Sequence, residues 1–400
     1  MTEVEETLRR TLGHAAEQAP GLPALLPARL ERIHRRRRQR AGIALAAAAI
    51  VLVAGGATAV LRGGDTITAV PAAGRNMADA PAEQVEEVWP EAVRKIPAKA
   101  PDGVPWRPQT FIDDRTLLVE AQGGESGQTS AVYAYDLDAR TPRKIADVPA
   151  PEGTVGFGNG FAVGGGRVVW WTGTKDSVAH LWAVPLDGGT PKIVADHRLD
   201  AADDGSGIDG LAVANDKIVF SVYTGGVFTV PLGGGTVEPV AGGTGMHLLA
   251  WPWIGAPGRG GEPQGTPYAR IQNVETGETR TAVTQPGEEL RLCGVTICLG
   301  RTSEGTAFFR HRDGSSQKNV PGEVHSAYLP TQDRFYISTY GGVGKPEGVG
   351  LYDLDTGRSG SLGISGKGNS IRLPSMDSTG GMLSYTLKDD LYLIDLSKIR

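Results

Sequence analysis

Asp200-Ala-Ala-Asp-Asp-Gly-Ser-Gly-Ile-Asp209 gathers carboxylates and glycines within ten residues. Asp200, Asp203, Asp204 and Asp209 are the oxygen ligands that a hard cation such as Ca2+ prefers. Their spacing matches no established calcium loop, and a solvated connector is the expected reading, so neither a metal nor a cofactor is expected. The seven histidines (His14, His34, His180, His197, His247, His311 and His325) are scattered, without the His-x-x-x-His pair of zinc hydrolases. His311-Arg-Asp313 matches the catalytic loop of protein kinases in three letters only. Asn319 falls one place too late, and no glycine-rich nucleotide loop precedes it. No Gly-x-Ser-x-Gly elbow is present, so no catalytic residue is nominated and no enzyme is expected.

The only two cysteines are Cys293 and Cys298, in Leu290-Arg-Leu-Cys-Gly-Val-Thr-Ile-Cys-Leu. Alternation on both sides predicts two strands joined by a short connection, with the sulfurs opposite each other. A hairpin-stapling disulfide is expected in place of free thiols, and so short a loop gives it a small entropic gain. A metal site there would need further Cys or His ligands, which the chain lacks nearby. Trp251 and Trp253, beside the Gly/Pro-rich stretch 255–267, are candidates for an exposed aromatic contact surface.

These residues sit among elements of one kind. Tyr133-Ala-Tyr-Asp-Leu-Asp-Ala-Arg-Thr-Pro-Arg-Lys-Ile reads as alternation, a tight polar turn, then alternation again: a β-hairpin. Variants of it centre near Asp138, Asp187, Gly234, Thr276, Asp313, Asp355 and Leu396, at spacings of 49, 47, 42, 37, 42 and 41. A period in the forties with about four short strands per unit is the mark of a β-propeller blade. The 57 glycines agree with a chain rich in turns. After the seventh hairpin no partner strand follows, whereas Ala92-Val-Arg-Lys-Ile-Pro-Ala matches the second half of the first hairpin. Residues 92–98 are therefore expected to complete the last blade and close the ring, removing open sheet edges. The expected fold is all-β, a seven-bladed β-propeller. Six blades plus an insert is the competing count, because the unit from Trp251 to Gln285 is loose.

The head of the chain differs. Residues 1–61 carry nine Arg and five Glu, net +4, which leaves −9 for the rest of a chain of net −5. That acidic remainder argues against a nucleic-acid partner. Residues 3–19 read as a short amphipathic helix ended by Pro20 and Pro23. Residues 41–61 hold no charge over 21 positions, the length of a transmembrane helix. A cleaved signal peptide, with Ala57-Thr-Ala59 as its cleavage site, is the rival reading. Arg35, Arg36, Arg37, Arg38 and Arg40 would keep the N-terminal side in the cytoplasm and place the remainder outside. The expected organisation is a cytoplasmic basic segment 1–40, a membrane helix 41–61, a flexible linker 62–88 and an extracytoplasmic propeller 89–400.

The Asp-Leu-Asp turns resemble those of TolB-like and WD-type propellers over residues 90–400. The whole layout resembles that of actinobacterial single-pass proteins with an Arg-rich amino-terminal segment, an Ala-rich span and a TolB-like propeller. The resemblance implies a rigid, non-enzymatic platform in the cell membrane that binds a protein, peptide or envelope ligand outside the cell. A second reading, resembling an anti-sigma-factor arrangement, gives residues 1–40 a cytoplasmic protein partner. The zinc-type His-x-x-x-Cys-x-x-Cys of one anti-sigma group is missing, since no cysteine precedes residue 293. A third reading is a propeller enzyme, such as a glycosidase or lactonase, with carboxylates at the ring mouth.

Overall fold

Strands that carry apolar side chains on both faces must be covered on both sides. In Thr116-Leu-Leu-Val-Glu-Ala, Leu117 and Val119 enter one apolar cluster and Leu118 another. Val168 and Trp170 likewise face one neighbour while Val169 and Trp171 face the next. Sheets sandwiched in this way, each between two others, make a ring.

The computed structural model describes residues 66–68, 80–100, 102–123, 128–199, 207–258, 265–321, 331–342 and 345–400. They form six four-stranded sheets and one three-stranded sheet, with each strand antiparallel to the next, and the fold is an all-β seven-bladed propeller. Blades 1 to 5 span 106–147, 154–198, 208–239, 247–281 and 288–319. Blade 6 contributes Phe335–Gly342, Lys345–Asp353 and Ser359–Ser365 as its second to fourth strands, and Thr331 pairs with Phe335 across the turn before them. Residues 322–330, which precede Thr331, lie outside the described residues. The loose fourth unit is a true blade of four short strands, which decides the count for seven.

Blade 7 is assembled from both ends of the domain. Ser375–Met376, Met382–Leu387 and Asp390–Asp395 supply its inner strands and Val93–Pro97 the outer one, with Val93 opposite Ile394 and Pro97 opposite Asp390. The expected closing strand is therefore present, within one residue of its expected bounds. A second stitch joins blades 7 and 1, where the Thr110 hydroxyl donates to Asp377 Oδ2 at 2.8 Å.

Each of the seven junctions has its own apolar cluster. The one between blades 6 and 7 also takes in Val85, Val88 and Trp89. These belong to a helical turn, Val85–Val88, capped reciprocally by Gln84 and Glu87. Ser361 donates its N–H to the Glu83 carbonyl, which lays this segment along the outer strand of blade 6. Residues 80–88, expected in the linker, are thus part of the folded domain, and Thr66–Thr68 pairs with Ser370–Arg372. A single turn is too short to show a helical period, so the sequence hides it. Among the described residues no helix is long and apolar enough to cross a membrane. The amphipathic helix 3–19, the apolar segment 41–61 and Arg35, Arg36, Arg37, Arg38 and Arg40 lie outside the described residues.

Candidate functional site

The two kinds of connection in the ring behave differently. At the end where each second strand begins and each third strand stops, one hydrogen bond recurs in all seven blades. Leu137, Leu186, Leu232, Val274, Arg312, Leu354 and Leu396 donate their N–H groups to the carbonyls of Arg115, Gly166, Asp216, Pro252, Thr296, Arg334 and Gly381, at 2.8–3.0 Å. One residue earlier, Asp136, Asn273, Asp353 and Asp395 accept N–H groups from the turn that follows. This Asx geometry is why the repeat reads Asp-Leu-Asp. The connections from second to third strands, at the end where the innermost strands begin, follow no such rule. They run from Lys388-Asp389 in blade 7 to 257–269 in blade 4. One end is scaffold and the other is varied, and the varied end is the candidate site.

Three polar clusters support the varied end. In blade 1, Arg107 pairs with Glu120 at 2.9 Å and the Thr129 hydroxyl donates to the same carboxylate at 2.5 Å, with the Glu120 side chain only 2% exposed. In blade 2, His180 bonds Asp196 at 2.7 Å, and the Thr174 hydroxyl donates to Asp176 at 2.5 Å, holding that carboxyl below its usual range. Thr174, Asp176 and His180, with Pro151, Glu152, Gly153 and Lys175, line a cavity of about 280 Å3.

The third cluster spans blades 3 and 4. His247 Nδ1 lies 2.6 Å from Asp209 Oδ2, and the Ser221 hydroxyl donates to Asp209 Oδ1 at 2.5 Å. Ser221 Oγ also accepts the Leu248 N–H at 3.0 Å. Two glycines allow this approach. A Cβ on Gly258 would stand 2.4 Å from the His247 ring, and one on Gly210 would meet Ser221 Oγ at 2.8 Å and Leu248 Cβ at 2.9 Å. The residue types are those of a hydrolytic triad, but the wiring is not. There the serine bonds to histidine, which takes its proton; here Ser221 bonds to the carboxylate and is fully buried. The cluster pins two blades together and holds no accessible nucleophile.

The expected site residues have separate fates. Asp209 joins this interblade cluster, whereas Asp200, Asp203 and Asp204 lie outside the described residues. Among the described residues no group of three metal-ligating side chains gathers. Cys293 and Cys298 are bonded and stand opposite each other at the end of a hairpin. Trp251 and Trp253 are both half-buried: the Trp251 indole donates to Glu275 at 3.2 Å, and the Arg280 guanidinium lies 4.5 Å over the Trp253 ring. The grouping of His247 and Ser221 with Asp209 was hidden because 38 and 12 residues separate them from it, and no local motif links them.

No family model and no curated protein matches the chain. Many solved structures share its architecture. The oligogalacturonate lyase of Vibrio parahaemolyticus is 10% identical with a TM-score of 0.45, covering 84% of this chain and 98% of its own. YCF48 bound to D1 peptide is 13% identical with a TM-score of 0.43, covering 79% and 99%. BamB of Moraxella catarrhalis is 9% identical with a TM-score of 0.35, covering 84% and 98%. At these values the likeness stops at the propeller architecture, which the strand order establishes independently.

Proposed function

We propose that this chain is a membrane-anchored extracytoplasmic propeller that binds a protein, peptide or envelope ligand at the varied end of its ring, without turning it over. The observation that carries the reading is the asymmetry between the ends. One hydrogen bond recurs in every scaffold turn, whereas the connections at the other end differ in length and residue from blade to blade. Lys175, Asp176, Thr224, Ser303, Glu304, Lys388 and Asp389 stand exposed there. Binding surfaces concentrate on such variable connections carried by a rigid frame. The oxidised Cys293–Cys298 pair supports an oxidising compartment, and the apolar segment 41–61 behind its arginines supports the anchor.

The test is cross-linking and capture with the full chain in intact cells, beside a variant carrying Lys175→Ala, Thr224→Ala, Glu304→Ala and Lys388→Ala. A partner captured by the wild type and lost by the variant is the expected result. Capture unaffected by the variant, or turnover of glycosides, uronates or lactones by the purified chain, would refute the reading. In the same cells, protease added outside should degrade the propeller and spare residues 1–40; the reverse pattern overturns the assigned orientation.

A further inference from the structure

Blade 5 keeps the scaffold turn but breaks its side-chain rule. Aligning Tyr133-Ala-Tyr-Asp-Leu-Asp with Phe308-Phe-Arg-His-Arg-Asp places Arg310 at the position of Tyr135 and Arg312 at that of Leu137. The equivalents of Leu137 in the other blades are Leu186, Leu232, Val274, Leu354 and Leu396, all apolar. Both arginines are nonetheless buried, at 0% and 5% exposure. Arg310 is neutralised by Glu288 at 2.7 Å. Arg312 has a different environment: it donates Nε to the Gly294 carbonyl at 2.8 Å, Nη1 to Ala269 at 3.0 Å and Nη2 to Tyr268 at 2.6 Å.

Three carbonyls hold this guanidinium in place without cancelling its charge. Burial pushes the Arg312 pKa down to about 10, partly offset by the Asp333 carboxylate and reinforced by the like charge of Arg280. Burial shifts Asp333 upward, against its bonds to Thr296 and Ile297 and the charge of Arg312. The junction of blades 4 and 5 is filled by two small apolar clusters, Tyr268, Ile271 and Leu292 in one and Leu290, Cys293, Cys298 and Phe308, with Ala282 against them, in the other. A cavity of about 340 Å3 opens there, lined by Arg280, Thr281, Val295, Thr296, His311, Arg312 and Asp313. Arg280 is oriented by Glu278 at 2.7 Å, the Val295 carbonyl at 3.2 Å and the Trp253 ring beneath it. Two bonds leave part of its five-donor fork uncommitted. The Asp313 carboxylate is engaged by the Ser315 N–H at 2.8 Å within its own turn.

We propose that this pocket, on the scaffold end and separate from the varied end, binds a carboxylate held between Arg280 and Arg312. Arg280 is already paired through Nε with Glu278, so the ligand would meet its remaining donors beside Arg312, and planar forks suit a carboxylate. The exposed Thr281 and Thr296 hydroxyls lie within the same lining. A pocket this small takes one acidic side chain or one small dicarboxylate.

The experiment titrates the full chain by calorimetry at low ionic strength with three probes: glutarate, an end-blocked triglutamate peptide and the matching triglutamine peptide. Saturable binding of at least one acidic probe is expected, with none for triglutamine. Affinity should fall about tenfold or more in Arg280→Ala and in Arg312→Leu, the loss of a charge-assisted hydrogen bond. Arg312→Leu installs the residue that most other blades carry, and Arg280→Ala alters a half-exposed side chain, so an unaltered melting temperature certifies the fold. Should Arg312→Leu fail to fold, Arg280→Ala decides alone. Binding of triglutamate but not glutarate assigns the site to an acidic segment of a partner, and equal binding assigns it to a free small carboxylate. No saturable binding of either acidic probe, equal binding of triglutamine, or wild-type affinity in a folded variant overturns the proposal. Because the variants leave the varied end untouched, partner capture there survives if only this inference fails.

Discussion

Two buried aspartates show how a neighbour decides what burial does to a carboxyl group. Burial alone would raise Asp353, but the Arg334 fork at 2.7 and 2.8 Å, the Thr356 hydroxyl and the Asp355 N–H together bring it below the ordinary 3.8. Asp377 receives Thr110, Thr379, Gly381 and Met382 but no cation, and burial prevails, so its pKa is raised. The signs follow from linkage. Asp353 contributes stability that is fully present above about pH 4 and is lost as pH falls through its lowered value. Asp377 contributes most below 3.8, and that contribution is lost as pH rises through its raised value. D353N should therefore cost about 2–3 kcal/mol at neutral pH, less than for a sealed pair because Arg334 is 24% exposed. D377N should cost about 1 kcal/mol, because an amide oxygen keeps the Gly381 and Met382 N–H bonds while its NH2 donates to Thr110 and Thr379 hydroxyls that turn to accept, and no buried charge remains. Denaturant titrations across pH check the contrast: wild type should gain on D377N as pH falls toward 4 and lose its lead over D353N below it. Parallel pH curves for the two variants would contradict this assignment.

Elements were legible in the sequence to the extent that they repeat. The Asx turn leaves the same letters in most blades because the same carboxylate or amide must cap the same N–H groups. The closing strand was legible because Ala92-Val-Arg-Lys-Ile-Pro-Ala matches the second half of the first hairpin. Val85–Val88 was not, since one turn carries no period, and neither was the Asp209–Ser221–His247 cluster, assembled across two blades. The arginines of blade 5 were legible in principle: lining up the repeats puts charge where the other blades put leucine. The closing strand gives the sharpest expectation at this scale. Ile96 is 2% exposed in the junction of blades 7 and 1, so Ile96→Ala should cost about 2–4 kcal/mol. Substituting Lys99, exposed just beyond the strand's end, should change little, and equal melting temperatures for the two variants would mean that the strand does not close the ring.

At the scale of the whole molecule, a ring is only as tight as its loosest junction. Seventeen buried apolar residues join blades 6 and 7, but only Val219, Val227, Met246 and Ile254 form the buried cluster between blades 3 and 4. Local opening follows such differences, so amide exchange should appear first in blades 3 and 4 and last in blades 6 and 7. Uniform protection around the ring would show that the junctions open together. The disulfide lies in blade 5, where it fastens one hairpin and spans no junction, so reducing it should leave this order unchanged. Closure also sets a schedule for synthesis. Val93–Pro97 leaves the ribosome nearly three hundred residues before its partner, Asp390–Ile394. Until then the closing strand has no sheet to join, and every incomplete chain carries an unsealed edge. A nascent product cut short anywhere in the last blade is thereby marked for aggregation or disposal, so only a chain translated through its last blade can shut the ring.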